Sequence, residues 1–340
     1  MKILIKKYFP VIFLFLFSTV LFARHDSAMY KLNVTKYLMG TTVETTARNT
    51  DINYCKKSLL AAYEEMQRVE NLLSCQKDSS EISKINRAAG IRPVKVSFET
   101  LSILKRARDY SKKYNGIFDI TIGPLSTLWG FNEDEEINLP ENQTILKLMK
   151  LIDYKDIIIN EKDTSVFLKD NGMSIDLGGI AKGYAIDRGS SVLKNMGIKN
   201  FILNAGGDIY VSGTKDGKDL WKVGIKHPRN SNELVAEFNL KNYAVATSGD
   251  YERFKIINGK RYHHILDPRT GYPGTLSESS TILAPTAEEA DATATYVFLL
   301  GWKDALRDKD IDFPLLIVAA DGSIHYNQTF AKKYNLEIIN

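Results

Sequence analysis

An α+β fold built on antiparallel sheet is the class this sequence predicts. Apolar residues recur at helical spacing in a few long segments: 52–73, 101–114, 181–196 and 286–300. Most of the chain after residue 156 instead reads as short strands separated by Gly, Asn and Asp turns. Strands joined by tight turns pair antiparallel, whereas a doubly wound parallel sheet needs a crossover between each pair. Composition adds that the chain is ordinarily globular, with 44% hydrophobic and 25% charged residues in 340.

The first segment stands apart from that fold. Lys2, Lys6 and Lys7 precede an apolar run over 8–22, then Ala23 and Arg24, which reads as a secretory signal over residues 1–23. The run is shorter than the ~20 residues that comfortably span a bilayer, and an uncleaved anchor is the alternative. The expected location is therefore outside the cytoplasm, either periplasmic or anchored on the outer side of the cytoplasmic membrane. No cysteine lies near the cleavage point to carry a lipid. Loss of these three lysines, with no acid lost, lowers the formal charge from +4 to +1. So bland a surface offers nothing to attract nucleic acid.

The folded domain is expected over 30–340. It opens with a strand at Tyr30–Leu38, a turn at Met39-Gly40-Thr41 and a second strand through Thr46. Ile52, Cys55, Leu59, Tyr63, Met66, Val69 and Leu73 then mark one face of a helix. About 20 residues at ~1.5 Å each separate Cys55 from Cys75 by roughly 30 Å, too far for a disulfide. Both read as free thiols without a redox role. Asp78-Ser-Ser-Glu81 reads as a capping box opening a short helix through Asn86. Leu101, Leu104, Arg108, Ser111 and Tyr114 share a helix face that stops at Gly116. Residues 132–142, polar and acidic, read as a surface loop. Next come a hairpin at Ile157–Asn160 and Ser165–Leu168, and a helix over 181–196. Short strands follow to residue 266, with another at 280–284, a helix over 286–300 and a last hairpin across Asp321-Gly322.

Four segments carry chemistry. Ser174-Ile-Asp-Leu-Gly-Gly-Ile-Ala-Lys-Gly183 runs from strand into helix, and its glycines allow a phosphate to approach free N–H groups. Asp176 and Lys182 stand ready for polar parts of such a ligand, although the Walker spacing is absent. A plain strand–helix turn is equally consistent with that run alone. In His263-His-Ile-Leu-Asp-Pro-Arg-Thr-Gly271, a histidine ends a strand three residues before Asp267, as a general base beside a carboxylate would. A turn with one solvated histidine is the bland alternative. Ala290-Asp-Ala-Thr-Ala-Thr295 puts Asp291 and Thr295 four apart on one helix face, a hard-oxygen pair suited to Mg²⁺ unless Asp291 merely bonds a backbone donor. The fourth, Gly116-Ile-Phe-Asp-Ile-Thr-Ile-Gly-Pro-Leu125, offers Asp119, or simply a core strand.

Taken in order, the segments Met39-Gly-Thr41, 118–125, 176–184, Asn204-Ala-Gly-Gly-Asp208, Thr247-Ser-Gly-Asp250, 264–271 and 289–293 resemble the ApbE family from about residue 37 to the C-terminus. The resemblance implies a T-fold-like α+β architecture with packed helices, and FAD:protein FMN transferase activity. It implies Mg²⁺ held by the Gly179 carbonyl and the side chains of Asp291 and Thr295. It implies FAD contacts at Met39, Ile117, Phe118, Asp119, Asp176, Lys182 and Ile265, with His264 as the catalytic histidine. Gln76 stands where the family carries an aromatic that contacts FAD. The implied reaction moves FMN from FAD onto a Thr or Ser hydroxyl of an acceptor flavoprotein, such as a subunit of a membrane redox complex, and releases AMP. The alternatives are Mg²⁺-dependent FAD pyrophosphatase, with water as acceptor, and a non-catalytic flavin-binding protein, which would not need His264, Asp291 and Thr295.

Overall fold

The computed structural model describes residues 29–131 and 139–339. The leader expected at 1–23 lies outside the described residues, as does the 132–138 part of the acidic loop. Among the described residues no helix is long and apolar enough to cross a membrane.

The chain runs β1 (Tyr30–Leu38), β2 (Thr41–Asn49), α1 (Ile52–Leu73), α2 (Glu81–Arg87), β3 (Val94–Lys95), α3 (Phe98–Lys113), α4 (Gly123–Trp129) and α5 (Asn142–Met149). Then come β4 (Ile157–Asn160), β5 (Ser165–Leu168), α6 (Ala181–Asn195), β6 (Asn200–Ala205), β7 (Asp208–Ser212) and β8 (Trp221–Lys226). β9 (Leu234–Leu240), β10 (Tyr243–Gly249), β11 (Phe254–Ile257), β12 (Lys260–His263), β13 (Ser277–Ala284) and α7 (Ala287–Leu300) follow. α8 (Trp302–Ala305), β14 (Leu315–Ala319), β15 (Ile324–Tyr326), α9 (Gln328–Tyr334) and β16 (Glu337–Ile338) complete the fold.

One eight-stranded sheet, ordered β1-β2-β6-β7-β10-β13-β14-β15, is antiparallel at every pairing. Strand alternation gives it two apolar faces. Ala244, Ala246, Ile282, Ala284, Leu315 and Ile317 join the core that contains α1, α6 and α7. Val245, Leu283, Leu316 and Val318 face a second core with Trp221, Phe238 and Phe330 from β8, β9 and α9. A smaller cluster of Leu125, Trp129, Ile145, Tyr262 and Leu266 ties α4 and α5 to the β11–β12 hairpin. The expected α+β class with antiparallel sheet and packed helices is what forms.

The β1–β2 turn needs Met39 at φ 54° and Gly40 at φ 70°, the left-handed pair of a tight two-residue hairpin. Both cysteines are free, as their spacing requires.

Several local expectations need correction. Ser80, not Asp78, caps α2: its Oγ accepts the Ser83 N–H at 3.0 Å. Glu81 thus becomes the first helical residue, and its carboxylate accepts instead from the Ser97 N–H and Oγ, at 2.9 and 2.8 Å. The 116–125 segment is not a strand. Beyond one parallel bridge between Ile122 and Ser174 it turns into α4. Pro124 in the first turn explains this, since proline suits a helix start and cannot donate to a sheet ladder. The strand expected to reach residue 266 ends at His263, where the chain leaves for the Pro268 turn. Helix α5 begins where the acidic loop was expected to end.

Candidate active site

The site is built where α6 crosses α7. Gly183 permits the crossing: a Cβ there would lie 2.2 Å from the Ala287 carbonyl oxygen. Its N–H donates to Asp291 Oδ2 at 2.9 Å, so one orphan donor of the α6 first turn is satisfied by a side chain of α7. Asp187, one turn further along α6, accepts the Ala287 and Glu288 N–H groups at 2.8 and 2.9 Å and fixes the start of α7. A Gly183→Ala protein is expected to lose about 1–3 kcal/mol of stability through overpacking, and with it the Asp291 contact. A denaturant titration checks this, and an unchanged midpoint would contradict the packing.

Thr295 lies one turn beyond Asp291 on the same helix face. A Cβ on Gly179 would sit 3.0 Å from Thr295 Oγ1 and 3.0 Å from the Phe118 ring, so these three residues are in contact. Ser248 Oγ of β10 closes the group, 3.3 Å from Thr295 Oγ1. Gly179, distant in sequence, is thereby brought against Thr295 on the helix face that also carries Asp291.

Charge around them is unbalanced. Lys182 Nζ lies 2.6 Å from Asp208 Oδ2, and Asp208 Oδ1 accepts the Thr247 N–H at 3.1 Å. Burial, then the Asp208 charge, pushes the Asp291 carboxyl up to about 7, against the pull of Lys182 and the Gly183 N–H. Burial pulls the Lys182 ammonium down, but Asp208 and Asp291 outweigh it and hold it above its ordinary value. Two carboxylates thus face one ammonium, which leaves one negative charge to attract a cation. One carboxylate, one hydroxyl and one backbone carbonyl are the hard oxygens Mg²⁺ takes. Among the described residues no cluster of three His, Cys, Asp or Glu is present, which a donor set with a single carboxylate does not require.

Of the residues expected to contact FAD, Phe118 touches Gly179, and the others lie on several separate segments. Ile117 packs against Ile265, Phe298 and Leu299. The Met39 turn leads into Thr41, which lies against Gly206 just before Asp208. Asp176 Oδ1 accepts the Gly178 N–H at 2.8 Å and shapes the turn into α6. Asp176 and Gln76 line one cleft of ≈ 470 Å³ with Asn86, Arg87, Ser126 and Ser174. Cys75 also lines it, and desolvation and then the Asp176 charge push its thiol up to about 12. Asp119 has internal partners: Oδ1 accepts the Thr121 N–H and hydroxyl at 2.8 and 2.7 Å, and Oδ2 accepts the Tyr154 N–H at 3.0 Å. It braces the 117–122 turn beside Phe118.

The two histidines at the end of β12 diverge. His263 is buried, with Nε2 2.8 Å from the Gly274 carbonyl and Nδ1 accepting the Ile265 N–H at 3.3 Å. Its ring is used up by structure. His264 is half-buried, with its N–H and Nδ1 3.1 and 3.3 Å from the Arg253 carbonyl. A carbonyl only accepts, so this contact selects the Nδ1–H tautomer and leaves the Nε2 lone pair available. Burial, then the positive charge of Arg253, holds the imidazole down to about 3. Asp267 is not its partner, contrary to the sequence reading. That carboxylate forms a two-pronged pair with Arg269, at 2.9 and 2.7 Å, and organises the Pro268 turn.

Asp208, Ser248 and Arg253 also belong to the site, although no chemistry was assigned to them from sequence. Asp208 and Ser248 stand in recognisable segments, but only the packing of β7 and β10 against α6 and α7 reveals their contacts.

The chain belongs to the ApbE family, whose model matches residues 39–310. Among its relatives, an FAD:protein FMN transferase of Klebsiella pneumoniae is 34% identical over 258 residues, 74% of this chain and 79% of that one. Another, from Treponema pallidum, is 32% identical over 262 residues, 72% of each chain. The crystal structure of the ApbE protein of Thermotoga maritima superposes with a TM-score of 0.84 at 37% identity, covering 88% of this chain and 98% of that one. The flavin transferase ApbE of Vibrio cholerae gives 0.77 at 26% identity, covering 90% and 100%.

Proposed function

We propose that this chain is an FAD:protein FMN transferase that uses Mg²⁺ to move FMN onto a Thr or Ser hydroxyl of an acceptor flavoprotein, releasing AMP. The observation that carries the reading is the convergence of Gly179, Asp291 and Thr295 beside Lys182, within an ApbE-family fold. Bound between those three oxygens, Mg²⁺ would neutralise pyrophosphate charge and make the phosphorus open to attack.

The chain's own groups supply the rest. Lys182 adds a second positive charge at the site, and Ile117, Phe118 and Ile265 offer apolar surface to the flavin. His264 Nε2 takes the proton from the acceptor hydroxyl. The freed oxygen bonds to the FMN-side phosphorus, the pyrophosphate P–O bond breaks, and AMP leaves with that bridging oxygen. An imidazole held at about 3 is by itself a weak base. An anionic phosphate beside the ring raises it toward the working pH, so substrate binding itself readies the base.

The leader pattern over 1–23 supports action outside the cytoplasmic membrane, on an acceptor such as an exposed subunit of a membrane redox complex. The test is to incubate the mature chain with FAD, Mg²⁺ and a candidate acceptor domain, then measure acceptor mass and AMP. FMN-modified acceptor with released AMP is expected. AMP with free FMN and unmodified acceptor would instead mark a pyrophosphatase.

Gln76 gives a separate test of how the cleft meets FAD. Gln76→Tyr is expected to tighten FAD binding by ~1 kcal/mol, about fivefold, through ring stacking. Flavin fluorescence titration reads this directly, and unchanged or weaker binding would mean that FAD does not lie against residue 76.

A further inference from the structure

Arg229 lies in the loop between β8 and β9, outside every segment so far given a chemical role. Its guanidinium grips the buried Asp250 carboxylate with two parallel bonds of 2.6 and 2.7 Å, and reaches Glu278 of β13 at 2.9 Å. The Arg229 and Asn230 N–H groups donate to His227 Nδ1 at 3.0 and 3.1 Å, so the loop that presents the guanidinium is itself fixed.

Asp250 stands at a fork. Two residues before it, Ser248 touches Thr295. Three residues after it, Arg253 offers the carbonyl that meets the His264 N–H and Nδ1. The Asp250 N–H donates to the Glu278 carbonyl at 3.0 Å, and Arg261 of β12 reaches the Asp250 carbonyl at 3.4 Å. The segment that orients the histidine is therefore pinned at its start by groups from β13, β12 and the β8–β9 loop.

We propose that Arg229 is a positioning residue for His264: its two-pronged grip on Asp250 fixes the 250–253 segment, so that the Arg253 carbonyl holds the ring with Nε2 open. The catalytic consequence rests on His264 acting as base in the transfer reaction. The tautomer itself does not. An arginine suits the task because its planar fork fixes direction as well as charge, which a lysine cannot do.

The experiment compares wild type, Arg229→Ala and Arg229→Lys by three readouts. Histidine ¹⁵N NMR gives the His264 tautomer, steady-state kinetics give kcat for FMN transfer, and titration gives FAD affinity. Wild type is expected in the Nδ1–H form. Arg229→Ala is expected to mix the two tautomers and lose about tenfold or more in kcat, as misplacement of a reacting group does, with FAD affinity within about twofold. Arg229→Lys, or guanidinium added to Arg229→Ala, should recover part of kcat. An unchanged tautomer and kcat in Arg229→Ala overturns the inference. So does a fall in kcat that follows FAD affinity and melting temperature and is recovered by neither rescue. A wild-type chain without transferase activity would refute the functional reading instead, and the tautomer comparison would still judge the role of Arg229.

Discussion

His264→Ala is expected to lose FMN transfer by about 10²–10⁴-fold, the usual contribution of a general base. FAD affinity and Mg²⁺ dependence should survive, because the residues expected to hold both, the adjacent Ile265 apart, lie on other segments of the chain. His263→Ala should behave oppositely. It leaves the Gly274 carbonyl unpaired and opens space beside Phe298, so it is expected to lower stability by about 1–3 kcal/mol while folded molecules keep their kcat. Transfer rates and melting curves for both variants give the pattern. Equal losses of rate would remove His264 from its role.

The same histidine sets a pH expectation. Its folded value lies below the ordinary one, so the free enzyme holds it unprotonated through the neutral range. Since kcat/KM reports groups of the free enzyme, no acid limb near ~6.5 should arise from this ring. At saturating Mg²⁺, a limb near ~6.5 that disappears in His264→Ala would contradict the desolvation of the ring and the nearby Arg253 charge.

Asp291→Ala, or EDTA with the wild-type chain, is expected to abolish AMP release while some FAD still binds. Asp291 is the single carboxylate of the proposed metal set, whereas the apolar contacts of Ile117, Phe118 and Ile265 do not involve it. AMP release and equilibrium FAD binding, measured on the same samples, separate the two effects. Full activity of Asp291→Ala in metal-free buffer would end the Mg²⁺ reading.

Much of this site was legible because it lies in contiguous segments with strong local signals. The helical spacing of Asp291 and Thr295 put both on one face before any packing was known. The glycines from Gly178 to Gly183 read as room for a phosphate, whereas Gly179 and Gly183 make room for Phe118, Thr295 and Ala287, and the Gly183 N–H is taken by Asp291. The two histidines at the end of β12 stood out together in sequence, and only their packing distinguishes the structural His263 from His264. What sequence could not supply was pairing across the fold. Asp267 looked like the natural partner of His264 from three residues away, yet Arg269 was nearer its carboxylate once the turn closed. The grip of Arg229 on Asp250 joins residues 21 apart on different elements, and no local pattern announces it. The helix at Gly123–Trp129 was hidden for another reason: its β-branched lead-in reads as a strand, and only Pro124 argues otherwise.

Running the reaction in ¹⁸O-labelled water shows which oxygen attacks phosphorus. With FAD, Mg²⁺ and acceptor present, FMN bound to acceptor is expected in equal amount to the AMP released, with no ¹⁸O in either product. Label appearing in free FMN, with the acceptor unmodified, would show that water is the nucleophile and would contradict transfer to a protein hydroxyl.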